Sequence, residues 1–116
     1  MPTEFTVSDE RLDSTTHVVS VRGEVDLFTA PEFKNHIVAA IDAGRALVII
    51  DLSETTFIDS SSLGVLISAQ RRLAGRDGRL VVVSEVEAVL NTFRITGLDS
   101  VIEVVATREE ALAPAA

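Results

Sequence analysis

Residues 58–70 read IDSSSLGVLISAQ, with an aspartate and three consecutive serines, Asp59 to Ser62, directly before an apolar helical pattern. Groups of this kind, so placed, can do two things. They can cap a helix, because Asp and Ser are favoured at the N-cap. One of them can also accept a phosphoryl group, since helix N–H groups and the helix dipole favour an anion there. A cap needs one such residue, and four in a row exceed that need. The segment follows a strand pattern, which places it at the C-terminal edge of a sheet, where open α/β folds carry their functional groups. A phosphate here would add about two negative charges beside Asp59. The fold would tolerate that, whereas a partner docked on this edge would be repelled. Plain cap and phosphoswitch both remain open on these residues alone.

Little else in the chain suggests chemistry. There is no G-x-S-x-G elbow, P-loop or dinucleotide fingerprint, so nucleotide binding has no motif behind it. A serine hydrolase would need a base near the serines. His17 opens a strand and His36 lies off the apolar face of its helix, so both read as solvated or structural. With two His and no Cys, neither a transition-metal site nor a disulfide framework is expected, and no cofactor is implied. Asp51, Glu54 and Asp59 fall around one predicted loop and read as a solvated acidic loop before they read as a cation site. The basic run RRLAGRDGR (71–79) sits at a helix C-terminus, where positive charge suits the dipole.

The 116 residues suit one domain, 1–116, with a core at about 4–112 and a flexible tail at 113–116. A net charge of −8 argues against binding nucleic acid or anionic lipid and leaves room for a basic protein partner. The N-terminal stretch lacks a signal-peptide pattern, and an apolar run such as ALVII, which no other run exceeds, is far too short for membrane insertion. A cytoplasmic protein is expected.

Positioning the serines requires a framework that the patterning supplies. EFTVSDERL (4–12) and HVVSVRG (17–23) read as an antiparallel pair, the second strand ending at Gly23. A helix follows, with Thr29 and Glu32 at capping-box spacing and Phe28 and Phe33 at staple spacing. Phe33, Ile37, Ala40 and Ile41 form its apolar face, and Gly44 stops it. ALVIIDL (46–52) reads as a central parallel strand and SETTFI as a loop. The serine helix covers about 60–75, and strands are expected at 79–84 and 101–106. Ser84 with Glu87 and Thr107 with Glu110 mark two further helix starts. The order ββαβαβαβα implies an α/β fold. Its sheet is mostly parallel with an antiparallel N-terminal strand, and its helices lie mainly on one face.

Three landmarks, RGEVDLFTAPEF (22–33), LVIIDLSETTFIDSSSLGVL (47–66) and FRITGLDSVIEV (93–104), occur in this order within that topology. Together they resemble the STAS domains of bacterial anti-sigma factor antagonists, across about residues 4–112. The resemblance implies the STAS fold and partner switching in transcription regulation. The unphosphorylated antagonist would bind an anti-sigma factor with serine kinase activity and release a sigma factor. Phosphorylation would break that complex, and a serine phosphatase would restore it. Carried over, the acceptor is Ser60, after Asp59, with Ser61 and Ser62 as alternatives. The implied partner-binding edge comprises Gly23, Glu24, Asp26, Asp59, Ser60, Ser61, Ser62, Leu63 and Gly64. The resemblance implies a binding module and no enzyme. The alternative is a STAS module of a stressosome or transporter-associated complex that lacks this switch. One departure stands out: the family motif carries Gly where this chain has Ser62.

Overall fold

The protein is described by a computed structural model over residues 4–113. The proposed tail therefore falls mostly outside the described residues. Strands β1 (Thr6–Arg11), β2 (Thr16–Val25), β3 (Leu47–Ile58), β4 (Arg79–Val83) and β5 (Glu103–Val105) form one sheet in sequence order. β1 runs antiparallel to β2, and all other neighbours are parallel. Helices α1 (Ala30–Asp42), α2 (Ser60–Ala74), α3 (Glu87–Thr96) and α4 (Arg108–Leu112) connect or follow the strands, with a 3₁₀ turn at Leu98–Ser100. The α/β class, the strand directions and the order of elements match the expectation.

The apolar spacing explains the layers. Val19, Val21 and Val25 of β2 and Val48, Ile50 and Leu52 of β3 face α1, α2 and α3. Those helices return Phe33, Ile37 and Ile41, then Leu63, Leu66 and Leu73, then Val89 and Phe93. The central strands are apolar on both sides because α4 covers part of the reverse face. There Ala111 packs with Val18, Ile49, Val81 and Val83.

Several boundaries differ from expectation, each for a local reason. Gly23 does not end β2. It takes φ +88 at a register shift against β3, and the strand continues to Val25. β3 extends through SETTFI, the predicted loop, because Thr55 pairs with Gly23, Phe57 with Glu24 and Ile58 with Val25. Thr29 makes no side-chain cap, and Phe28 is 88% exposed, so no staple to Phe33 forms. Ser84 does not cap α3; its hydroxyl accepts from Val86 N (3.1 Å), and Val86 is the N-cap residue. Thr107 does cap α4, accepting from Glu110 N at 3.2 Å.

Polar ties hold the periphery. Asp9 of β1 bonds both His17 of β2 (2.7 Å) and His36 of α1, which gives the histidines structural work. On the reverse face Arg108 anchors α4, donating to Asp51 Oδ2 (2.7 Å), Ser20 Oγ (3.0 Å) and Glu10 Oε1 (3.2 Å). Asp51 is 8% exposed and also accepts from the Ser53 hydroxyl and amide. Burial pushes its carboxyl upward, but Ser53 and Arg108 outweigh burial and hold it below the ordinary value of 3.8.

A carboxyl lowered on folding stabilises the fold above its unfolded value and loses that contribution as pH falls through its folded value. The Asp51 contribution is thus complete above about pH 5 and fades below the ordinary Asp range. Arg108→Ala leaves Asp51 buried beside one partner fewer. We expect a loss of about 2 kcal/mol in urea unfolding at neutral pH. The acid-unfolding midpoint should move to higher pH. An unchanged acid limb would show that the Arg108 pair does not set this dependence.

Candidate functional site

The site lies where β2 and β3 end side by side. Their last residues, Val25 and Ile58, are in register, so the following aspartates, Asp26 and Asp59, leave the sheet from neighbouring strands. Two landmarks 33 positions apart in the chain, GEVD and IDSSS, are brought together in this way. Each aspartate opens a helical segment.

Asp59 is the N-cap of α2. Its Oδ1 accepts from the amides of Ser61 (3.0 Å) and Ser62 (3.2 Å), while Ser62 Oγ accepts from Asp59 N (3.2 Å). This is a reciprocal capping box with a hydroxyl at the third helical position. Ser62 is fully buried, and its hydroxyl donates to the Val25 carbonyl at 3.0 Å. The first turn of α2 is thereby tied to the end of β2. Ser61 is half-buried beside α1. Ser60 is exposed and takes no part in the cap. The three serines thus have three different environments.

Asp26 does for the approach to α1 what Asp59 does for α2. Its Oδ1 accepts from Phe28 N (2.9 Å) and Thr29 N (3.1 Å), and its own amide donates to Thr29 Oγ1 (2.9 Å). The reciprocal pair is therefore Asp26 with Thr29, three residues before the predicted Thr29 with Glu32. The Thr29 hydroxyl is occupied by Asp26, which explains its absence from the helix cap proper.

The expected partner-binding residues divide into two groups. Glu24, Ser60 and Gly64 are exposed, and Asp26, Asp59 and Ser61 are partly so. Gly23, Ser62 and Leu63 are buried and act as supports, with Leu63 6% exposed in the core. The three carboxylates read as one acidic loop do not form one cluster: Asp51 and Glu54 line one cavity, where they pair with Arg108 and Arg22 (2.7 Å), while Asp59 caps α2. Among the described residues, no group of three or more His, Cys, Asp or Glu could hold a metal ion. Both histidines bond Asp9, and neither bonds a serine.

Sequence reasoning missed an apolar fringe on this edge. Leu27 is 68% exposed, Phe28 88% and Phe57 46%. Leu27 and Phe28 sit in the β2–α1 loop and Phe57 one residue before the end of β3, so all three belong to the edge that carries Ser60. One signal was available. Phe33, Ile37 and Ile41 already complete the buried face of α1, leaving no core position for Phe28. An exposed hydroxyl on a fixed helix end, on the same sheet edge as exposed aromatic residues, is suited to recognition by a protein surface.

Comparison with known proteins agrees with this geometry. The model of the STAS domain family matches residues 8–111. The anti-sigma-B factor antagonist of Listeria monocytogenes is 37% identical over 92 residues, covering 78% of this chain and 80% of that protein. The crystal structure of an anti-sigma factor antagonist from Mycobacterium paratuberculosis superposes with a TM-score of 0.87 at 32% identity. It covers 94% of this chain and 92% of its own. The anti-sigma factor antagonist SpoIIAA matches at 26% identity in an unphosphorylated form and, as the Bacillus cell fate determinant SpoIIAA, in a phosphorylated form. Its unphosphorylated form gives a TM-score of 0.78 (94% and 93% covered), and its phosphorylated form 0.71 (94% and 96%). With a family match across most of its length and such a relative, the chain belongs to the STAS domain family, among the anti-sigma factor antagonists.

Proposed function

We propose that this protein is an anti-sigma factor antagonist working by partner switching in the cytoplasm, as a single STAS domain with its core at about 4–112. In the unphosphorylated state the edge bearing Leu27, Phe28, Phe57 and Ser60 docks on an anti-sigma factor with serine kinase activity, and a sigma factor is released. The kinase phosphorylates Ser60, the complex dissociates, and a serine phosphatase restores the binding form. The protein acts by binding and carries out no catalysis of its own.

The observation that carries this reading is the distinct placement of the three serines. Ser60 alone is both exposed and outside the cap. Ser62 is fully buried, so a kinase could reach it only after α2 had opened. A phosphate on Ser60 would sit beside the Asp59 carboxylate at the head of α2, adding about two charges where the partner must approach. The edge already holds Asp26 and Glu24. The switch therefore acts through charge and bulk at the surface, with the fold unchanged. The existence of SpoIIAA structures in both phosphorylation states supports extending the mechanism to this relative.

Incubation with the cognate kinase and ATP, followed by phosphopeptide mapping, should find a single phosphate on Ser60. Modification of Ser61 or Ser62 alone rejects the assignment. In co-purification, Ser60→Asp should lose the anti-sigma factor, whereas Ser60→Ala should retain it and resist phosphorylation. Recovery of a transporter subunit or scaffold with no anti-sigma factor would favour the other kind of STAS module. Phe28→Ala should weaken binding by about tenfold or more while leaving stability nearly unchanged. Urea unfolding separates switch from support. Ser62→Ala should cost about 1–2 kcal/mol, through loss of the bond to Val25 and of the cap's return bond. Ser60→Ala should change stability by less than about 0.5 kcal/mol.

A further inference from the structure

Between α1 and α2 lies a groove of about 440 Å³. Ile37 and Val38 of α1 and Val65 and Ala69 of α2 supply its apolar lining. Both helices start at the strands' C-terminal edge, so Lys34 and Ser61 stand toward that end and Arg72 toward the other. Among the described residues no acidic one lines the groove, although the chain carries a net charge of −8. Lys34 is the only lysine in the sequence. Arg72 bonds Asp42 at 2.7 Å, but both side chains are largely exposed, and such pairs hold weakly enough to turn toward a partner.

Gly64 is the second observation. It is an exposed residue inside α2, and a Cβ built there would meet nothing within 4 Å. Glycine is disfavoured in a helix interior relative to alanine. Packing within the chain does not require it, and what its bare backbone offers is close approach from outside. Ser61 and Ser68 lie on the same side at helical spacing, so the α2 wall is low along its length. From Ser61 to Arg72 the groove runs about 16 Å, or three helical turns.

We propose that this groove docks an amphipathic α-helix of a protein partner, its apolar stripe on the floor and its acidic side chains at Lys34 and Arg72. The length, the low wall beside Gly64 and the cationic ends each match that occupant. The surface adjoins the serine edge through Ser61. A phosphate on Ser60 would place negative charge at its upper end and weaken an acidic occupant. That coupling rests on the proposed switch, whereas the docking does not.

The test is an NMR amide-shift titration of the full chain with three helical peptides of about four turns. They share one Leu/Ala stripe and differ in carrying Glu, Lys or Gln at the ends. The Glu-ended peptide should shift the Val38, Ser61, Gly64 and Ser68 amides saturably, and the Lys-ended one should bind about tenfold more weakly or worse. Because a Cβ at Gly64 meets nothing, Gly64→Leu should stay folded yet lose the Glu-ended peptide. Lys34→Glu combined with Arg72→Glu should reverse the preference. Equal binding of all three peptides, undiminished binding by Gly64→Leu, or no saturable groove shift at millimolar peptide would each overturn the proposal. Decanoate shifting these amides where the Glu-ended peptide does not would overturn it in favour of a small amphiphile. Ser60→Asp reads the coupling separately: weaker Glu-ended binding supports it, and unchanged affinity removes the coupling while leaving the docking intact.

Discussion

The bond from the Ser62 hydroxyl to the Val25 carbonyl joins two parts of the chain that must stay in register for the serine edge to exist. Val25 ends one strand, and Ser62 lies in the first turn of the helix that follows the next strand. A helix end leaves several amides without partners, and here the Asp59 carboxylate takes two of them. The hydroxyl returns the bond to the Asp59 amide and is itself held by the sheet. Because this closed set of bonds does not use Ser60, that hydroxyl stays available. The family motif has glycine at position 62, which lacks the means to make this tie. The serine here presets the first turn of α2, where a glycine would leave the backbone freer.

The sheet beneath supplies rigidity from both sides. Three helices cover one face with a large apolar cluster, while the short α4 closes part of the other. Arg108 is the polar counterpart of that closure, spanning β1, β2 and β3 through Glu10, Ser20 and Asp51. A buried carboxylate with a fixed cation costs desolvation and gains orientation. The acidic chain thus spends its carboxylates on separate structural tasks, capping at Asp26 and Asp59 and anchoring at Asp9 and Asp51.

Long apolar runs and helix periodicity were legible because burial on one or both faces leaves a repeating pattern. ALVIIDL and the Phe33–Ile37–Ala40–Ile41 face both found their predicted places. SETTFI was not legible as strand. Its inward residues, Thr55 and Ile58, are separated by a bulged register that breaks strict alternation, and only pairing with β2 extends it. Capping was misread at Thr29 and Ser84 because Ser/Thr followed three residues later by Glu satisfies a pattern that says nothing about tertiary competition. The working pairs, Asp26 with Thr29 and Asp59 with Ser62, use a hydroxyl as the returning group. Adjacency of Asp26 to Asp59 came from the family resemblance and has its physical basis in the parallel register of β2 and β3. The exposure of Phe28 was hidden because its spacing to Phe33 suits a staple equally well.

The sheet also has two ends. β1 is its outer strand on one side, with sequence TVSDER, and the three-residue β5 bounds the other. Free strand edges invite addition of a further strand, from a partner or from a second copy. Charged residues and short edge strands discourage it. In β1 the last three residues, Asp9, Glu10 and Arg11, are all charged, and Asp9 and Glu10 are bonded back into the domain. Lateral growth of the sheet is therefore discouraged on both sides. Helix ends and helix faces are thus the surfaces left open to a partner, while backbone edges, which pair with little regard to sequence, are guarded.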